Sequence, residues 1–182
     1  MARVSGILKL LKIGLVRGRV TRRYPAERTP PPEGLRGRPV LDFDACIGCG
    51  GCATACPANA LTVEEAEGTW TLRLFYGRCL MCGLCEEVCP KDAIRLSDEY
   101  ELATTNREDL EVELQLRRVA CSGCGKYFTT RRVLEETAAE YSELSGGYSD
   151  DFRDVITLCP DCRRRKWGEA LADAYREARY ES

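Results

Sequence analysis

Eight of the twelve cysteines in this 182-residue chain fall into two runs of one pattern, Cys46-x-x-Cys49-x-x-Cys52-x-x-x-Cys56-Pro57 and Cys79-x-x-Cys82-x-x-Cys85-x-x-x-Cys89-Pro90. Thiolates at this spacing suit four-iron, four-sulfur cubanes: three converge from one tight loop on a single cubane, and the fourth, just ahead of the proline, ligates the other. Cys46, Cys49, Cys52 and Cys89 are therefore assigned to a first cluster, and Cys79, Cys82, Cys85 and Cys56 to a second. Gly48, Gly50, Gly51 and Gly83 leave backbone amides free to approach the cluster sulfurs and can take positive φ without strain, and hydrogen bonds from such amides help set the reduction potential. Two adjacent redox centres exceed what a structural staple requires, so the chemistry indicated is one-electron transfer. With no histidine anywhere in the chain, soft metal ions must be held by sulfur, and acid–base catalysis by imidazole is excluded.

A second set of four cysteines stands apart. Cys121-x-x-Cys124 and Cys159-x-x-Cys162, with 34 residues between the pairs, resemble zinc knuckles in which a glycine or proline turns amides toward sulfur. Four thiolates in two pairs suit one tetrahedral Zn²⁺, with a mononuclear, rubredoxin-like iron as the alternative. The expected role is a structural site that docks the C-terminal tail. Nucleic-acid binding by a ribbon has only the run Arg163-Arg164-Arg165-Lys166 and Trp167 in its favour, and such a run reads as a solvated helix start.

The elements that must position these groups show an internal repeat of 33 residues. Beyond the cysteines, Gly50 recurs as Gly83, Pro57 as Pro90, Ala60 as Ala93 and Leu61 as Ile94, which predicts two half-domains related by pseudo-twofold symmetry in an α+β, ferredoxin-like core. Leu61-Thr62-Val63 and Thr69 to Tyr76 read as strands joined by a polar turn. Four regions follow: an amphipathic arm (1–24), a proline-rich linker or wrapping strand (25–39), the two-cluster domain (40–97) and a charged, largely helical extension (98–182) carrying the second cysteine set. Helices are expected over Thr129–Leu144 and Trp167–Tyr180, and the acidic stretch Arg107–Leu116 receives no role.

Charge is unevenly spread. Residues 1–39 hold ten Lys/Arg against Glu27 and Glu33, a balance of +8, which leaves −10 for the remainder of a chain whose net charge is −2. A basic arm on an acidic body fits an anionic surface: lipid, nucleic acid or an acidic partner subunit. In the arm, Ile7, Leu8, Leu10, Leu11, Gly14, Leu15 and Gly18 share an uncharged helical arc opposite Lys9, Lys12 and Arg19. A helix over residues 6–18 reaches only about 20 Å at ~1.5 Å per residue, short of the ~30 Å hydrocarbon core. Charges interrupt its apolar run, no cleavage site follows, and the Arg22-Arg23 pair comes after the apolar stretch rather than before it. The chain is accordingly expected in the cytoplasm, where clustered cysteines indicate metal rather than disulfides.

VTRRYP, a proline-rich stretch and LRGRP ahead of the first cysteine run resemble the two-cluster ferredoxin subunit of respiratory complex I, subunit I. SDEYELA (Ser97–Ala103) and the paired cysteines of the tail make the chain more similar still to the small iron–sulfur subunit of formate hydrogenlyase, hydrogenase-4 and related membrane-bound NiFe hydrogenases. The resemblance implies an electron-transfer subunit, not an enzyme alone. It would relay electrons between an input iron–sulfur subunit and the hydrogenase small subunit that carries the next cluster. It also implies a peripheral position on the inner face of the cytoplasmic membrane, with the N-terminal helix at the interface and no nucleic-acid partner. The competing readings are a free soluble ferredoxin, disfavoured by the basic arm, and a zinc-ribbon nucleic-acid binder, disfavoured by the acidic body.

Overall fold

The computed structural model describes residues 2–18, 21, 24, 26–27, 30–147 and 150–180, so Arg19, Arg22, Arg23 and Pro25 of the basic arm lie outside the described residues. Two compact units divide the chain, residues 1–33 and 34–182. The first is built on helix α1 (Ala2–Arg17). Ile7, Leu8, Leu10, Leu11, Leu15 and Val16 of α1 are all exposed. No helix among the described residues is long and apolar enough to cross a membrane.

The second unit is mixed α and β. Short strands β1 (Pro39–Leu41) and β4 (Ile94–Leu96) pair antiparallel, and four longer ones form a sheet in the order β2 (Leu61–Ala66), β3 (Thr69–Phe75), β5 (Glu111–Ala120), β6 (Tyr127–Thr130). The hairpin expected from the sequence is present, closed by Glu67 and Gly68 between the paired residues Ala66 and Thr69. In β3, Trp70, Leu72 and Leu74 are buried, as the period-2 alternation of a strand requires, whereas Arg73 points outward to Glu64 at 2.8 Å and Glu113 at 2.9 Å. Leu72, Leu74 and Ile94 are the most enclosed of the large apolar side chains. The linker does wrap: Gly37 and Arg38 donate their amides to the carbonyls of Ser97 and Glu99, each at 2.7 Å. Pro39 then opens β1.

The C-terminal region departs from the expectation of a largely helical extension. Helices α4 (Arg131–Ser145), α5 (Asp150–Ile156) and α6 (Pro160–Tyr180) are present, but Glu111–Ala120 is a ten-residue strand that pairs with β3 from Glu111 to Arg117 and with β6 beyond. The acidic stretch left without a role therefore lies largely within the sheet. Leu114 and Leu116 enter the core while Glu111, Glu113 and Gln115 face out. It is a half-buried strand whose polar face masks its apolar one.

Two short helices, α2 (Gly51–Ala55) and α3 (Leu84–Glu87), follow the cysteine loops, and each begins after a glycine in the left-handed region, Gly50 at φ 76 and Gly83 at φ 90. Gly48 also has positive φ. Gly51 does not: it is the first residue of α2. Met81, the counterpart of Gly48 one repeat later, takes φ 52 without being glycine. Conformation alone thus does not demand glycine at 48. Space does, because a Cβ there would lie 2.7 Å from Leu116 Cδ1 and 2.8 Å from Thr130 Cγ2. At Gly83 the nearest atom to such a Cβ is Leu96 Cδ1 at 3.6 Å. Gly48→Ala is expected to destabilise the protein by about 1–3 kcal/mol more than Gly83→Ala, the magnitude of overpacking. Comparing the urea midpoints of the two variants under anaerobic conditions checks this; equal midpoints contradict it.

Candidate metal centres

Cys46 and Cys49 sit on the loop between β1 and α2, and Cys52 is the second residue of α2. Asp42 braces this loop, its carboxylate accepting the amides of Asp44 at 2.9 Å and Ala45 at 3.1 Å. Those bonds, Ala45 first, hold the Asp42 carboxyl below the usual carboxylate range. Cys89 comes to the same place from the end of the second run. A pocket enclosing about 370 Å³ is lined by Cys46, Cys49, Cys52 and Cys89, with Gly48 and Trp70 among its walls. A second pocket, about 380 Å³, is lined by Cys79, Cys82, Cys85 and Cys56, with Leu61 and Leu74 among its walls. Each pocket therefore gathers three cysteines of one run and the last of the other.

The surroundings of the sulfurs repeat as well. The amide of Ala60 donates to Cys56 Sγ at 3.3 Å, and that of Ala93 to Cys89 Sγ at 3.2 Å. Met81 donates to Cys79 Sγ at 3.4 Å, and the Gly48 amide acts in the same sense on Cys46. Strand pairing follows the same period, Leu41 opposite Ile94 and Leu74 opposite Leu61. Burial pushes the Cys52 thiol up to about 12, reinforced by Cys46 and Cys49, and the Cys85 thiol up to about 11. Packed together in apolar pockets, such thiols ionise only when positive charge arrives, and ligation to iron supplies it with release of protons. Sulfur-only donors, converging amides and two matched pockets fit a pair of iron–sulfur clusters.

Cys121 and Cys124 lie on the turn between β5 and β6, and Cys159 immediately precedes α6, whose first residue, Pro160, suits a helix start. The four Sγ atoms of Cys121, Cys124, Cys159 and Cys162 lie within 4.8 Å of one another. Cys124 and Cys159 are 3.7 Å apart, sulfur to sulfur, close to the roughly 3.8 Å edge of a tetrahedron with metal–sulfur bonds of about 2.3 Å and far beyond a disulfide. Cys121 Sγ accepts the amides of Cys159 at 3.1 Å and Gly123 at 3.4 Å. The Cys159 amide is the main reason the Cys121 thiol is drawn down to about 6. Cys162 moves the opposite way, to about 12, through Cys124 first and then burial. Three of these four cysteines are buried and Cys124 is exposed, and together they form a sulfur-only group that could hold a single metal ion.

Sequence reasoning missed the residues by which the tail grips the first loop. Thr130 donates its hydroxyl to the Ile47 carbonyl, and Arg132 donates to the carbonyls of Cys46 at 2.8 Å, Asp44 at 3.4 Å and Phe43. Lys91 pairs with Glu136 and, at 3.4 Å, with Glu140. These partners are 45 or more residues apart, and no local pattern announces them.

Fold and pockets together define an iron–sulfur protein of the two-cluster type, and residues 45–93 match the family described as 4Fe-4S dicluster domain. Formate hydrogenlyase subunit 6 of Escherichia coli (strain K12) is 39% identical over 164 residues, 88% of each chain. NADH-quinone oxidoreductase subunit I of Pectobacterium atrosepticum is 42% identical over 120 residues, 60% of this chain and 66% of its own length. The chloroplastic NAD(P)H-quinone oxidoreductase subunit I of Nuphar advena is 36% identical over 136 residues, 68% of this chain and 73% of its own. The chain belongs to the family of formate hydrogenlyase subunit 6 and quinone oxidoreductase subunit I, as a 4Fe-4S electron-transfer subunit of a multisubunit oxidoreductase complex rather than an enzyme by itself.

Replacing Cys159 with Ala is expected to remove one metal equivalent per chain while leaving the visible absorption of the eight-cysteine core in place. Elemental analysis beside the optical spectrum reads both, and unchanged metal content contradicts the tail assignment.

Proposed function

We propose that this subunit relays electrons between an input iron–sulfur subunit and a hydrogenase small subunit carrying the next 4Fe-4S cluster, in a membrane-associated complex of the formate hydrogenlyase or complex I type. Cys46, Cys49, Cys52 and Cys89 hold the first cluster, and Cys79, Cys82, Cys85 and Cys56 the second. The clusters, when bound, supply one-electron oxidation and reduction. The protein's part is to supply thiolates, exclude water with Trp70, Leu61 and Leu74, and aim the amides of Met81, Ala60 and Ala93 at sulfur. A pseudo-twofold, ferredoxin-like core over residues 40–97 is the fold of this reading. The observation that carries it is the exchange of the fourth cysteine between two pockets of matching size. The amides of Asp42 and Phe75, 33 residues apart, support it further by donating to Ala93 and Ala60, themselves 33 apart.

The tail site is read as structural Zn²⁺ on Cys121, Cys124, Cys159 and Cys162. Four thiolates in two CxxC pairs are a common donor set of structural zinc, and mononuclear iron is the outcome that would revise this. Residues 98–182 then act as an extension docked on the cluster core through β5 and α4. The exposed apolar arc of α1, beside Lys9 and Lys12, supports a helix lying at the inner face of the cytoplasmic membrane. A freely diffusing ferredoxin has no use for such an arm. At the second pocket, Leu80 and Cys82 are exposed, an apolar edge suited to a neighbouring subunit.

Cys56→Ala tests the ligand exchange. The second cluster should be lost or degraded and the first retained, with Cys89→Ala giving the reverse, as followed by electron paramagnetic resonance of the reduced proteins. Selective loss of the first cluster in Cys56→Ala contradicts the assignment.

A further inference from the structure

Two cations of the chain approach the first cysteine loop, and they differ in how their charge is spent. Lys91, two residues past Cys89, is shared between the carboxylates of Glu136 and Glu140, which cancel it. Arg132, second residue of α4, donates instead to the main-chain carbonyls of Phe43, Asp44 and Cys46. Carbonyls orient a guanidinium without neutralising it. Of the carboxylates that share the surface recess with Arg132, Glu135 is engaged by Arg131 at 2.8 Å and Glu136 by Lys91, while Asp44 belongs to the loop itself. Arg132 is half-buried, so solvent screens it less than a free surface cation. Its helix is held in place by Thr130, whose hydroxyl bonds the Ile47 carbonyl and accepts the Val133 amide at 3.3 Å as the helix cap.

We propose that Arg132 sets the reduction potential of the first cluster. Its fixed positive charge sits beside the Cys46–Cys49 loop and favours the more negative, reduced state. The same bonds fix the loop that presents Cys46, and hydrogen bonding and charge near the sulfurs are the protein's means of adjusting such a potential. The proposal rests on the assignment of Cys46, Cys49, Cys52 and Cys89 to one cluster. It gives the tail a redox role: the residue that adjusts the first cluster comes from 43 positions beyond its last ligand. The second cluster has its own cation, Arg36, which donates to the Cys82 carbonyl at 3.3 Å. Arg132 is therefore a positioning and charge-setting residue for one cluster only.

The full-length chain, prepared anaerobically with its clusters, is compared as wild type, Arg132→Lys, Arg132→Met and Arg36→Met by redox titration followed by electron paramagnetic resonance. Iron and sulfide are counted in each sample. In Arg132→Met one of the two one-electron steps should move to lower potential by at least a tenfold change in its equilibrium, 59 mV for a one-electron couple, and the other step should stay. Arg132→Lys, which keeps the charge, should lie nearer wild type, and Arg36→Met should leave the step moved by Arg132→Met where it was. With iron and sulfide intact, an unmoved titration in Arg132→Met overturns the proposal, as do equal shifts in Arg132→Met and Arg132→Lys. Should Arg132→Met fail to keep the first cluster, Arg132→Gln replaces it, and potentials equal to those of Arg132→Lys overturn the proposal in the same way. A wild-type protein without two clusters' worth of iron and sulfide would instead sink the cluster assignment beneath it.

Discussion

Eight thiols turned into two apolar pockets are an unfavourable way to build a protein interior unless something positive joins them. Buried thiolates cost solvation that neither water nor histidine can return here. Iron would resolve the conflict by bringing positive charge to the sulfurs. Each pocket is lined by three cysteines of one run and the last of the other, so under the proposed ligation metal binding and the docking of the two halves would be one event. The strand pairs β1–β4 and β2–β3, with Leu41 opposite Ile94 and Leu74 opposite Leu61, supply the apolar floor against which both sets of sulfurs are pressed.

The tail depends on the same constraint from outside. Strand β5 extends the β2–β3 hairpin, and its Leu116 fills the space that Gly48 leaves open. The turn after β5 carries Cys121 and Cys124, and β6 ends on Thr130, which bonds the Ile47 carbonyl, directly before Arg132 of α4, which bonds that of Cys46. A cysteine pair, a strand and an arginine thus follow one another along the chain, ending on the first cysteine loop. On the second loop Arg36 bonds the Cys82 carbonyl, and Leu80 beside it is 68% exposed. One cysteine loop is thus gripped by the tail and the other presents an apolar edge, an asymmetry that would suit a conductor with distinct ends.

Much of this was legible in the sequence where the determinant is local. The cysteine runs, their 33-residue repeat, the β2–β3 hairpin and the two longer C-terminal helices are written in spacing and alternation. The tail cysteines were grouped correctly because two CxxC turns can share one ion. What escaped is long-range or masked. In β5, Val112, Leu114 and Leu116 alternate as a strand should, but the charged residues between them belong to a solvated sheet face, and the acidic stretch was assigned no role. Gly51 looked like its neighbours and proved to be helical. Thr130, Arg132 and Lys91 have ordinary sequence surroundings, and their meaning comes from partners brought near only by the fold.

The most direct measurement is the iron and acid-labile sulfide content of the anaerobically purified chain, beside its spectrum after reduction. About eight irons and eight sulfides per chain, in a brown protein that reduces to two paramagnetic clusters, is the result required. A colourless protein without sulfide, its core cysteines free or bound only to single ions, would mean that no pair of cubanes exists and that the chain does not conduct.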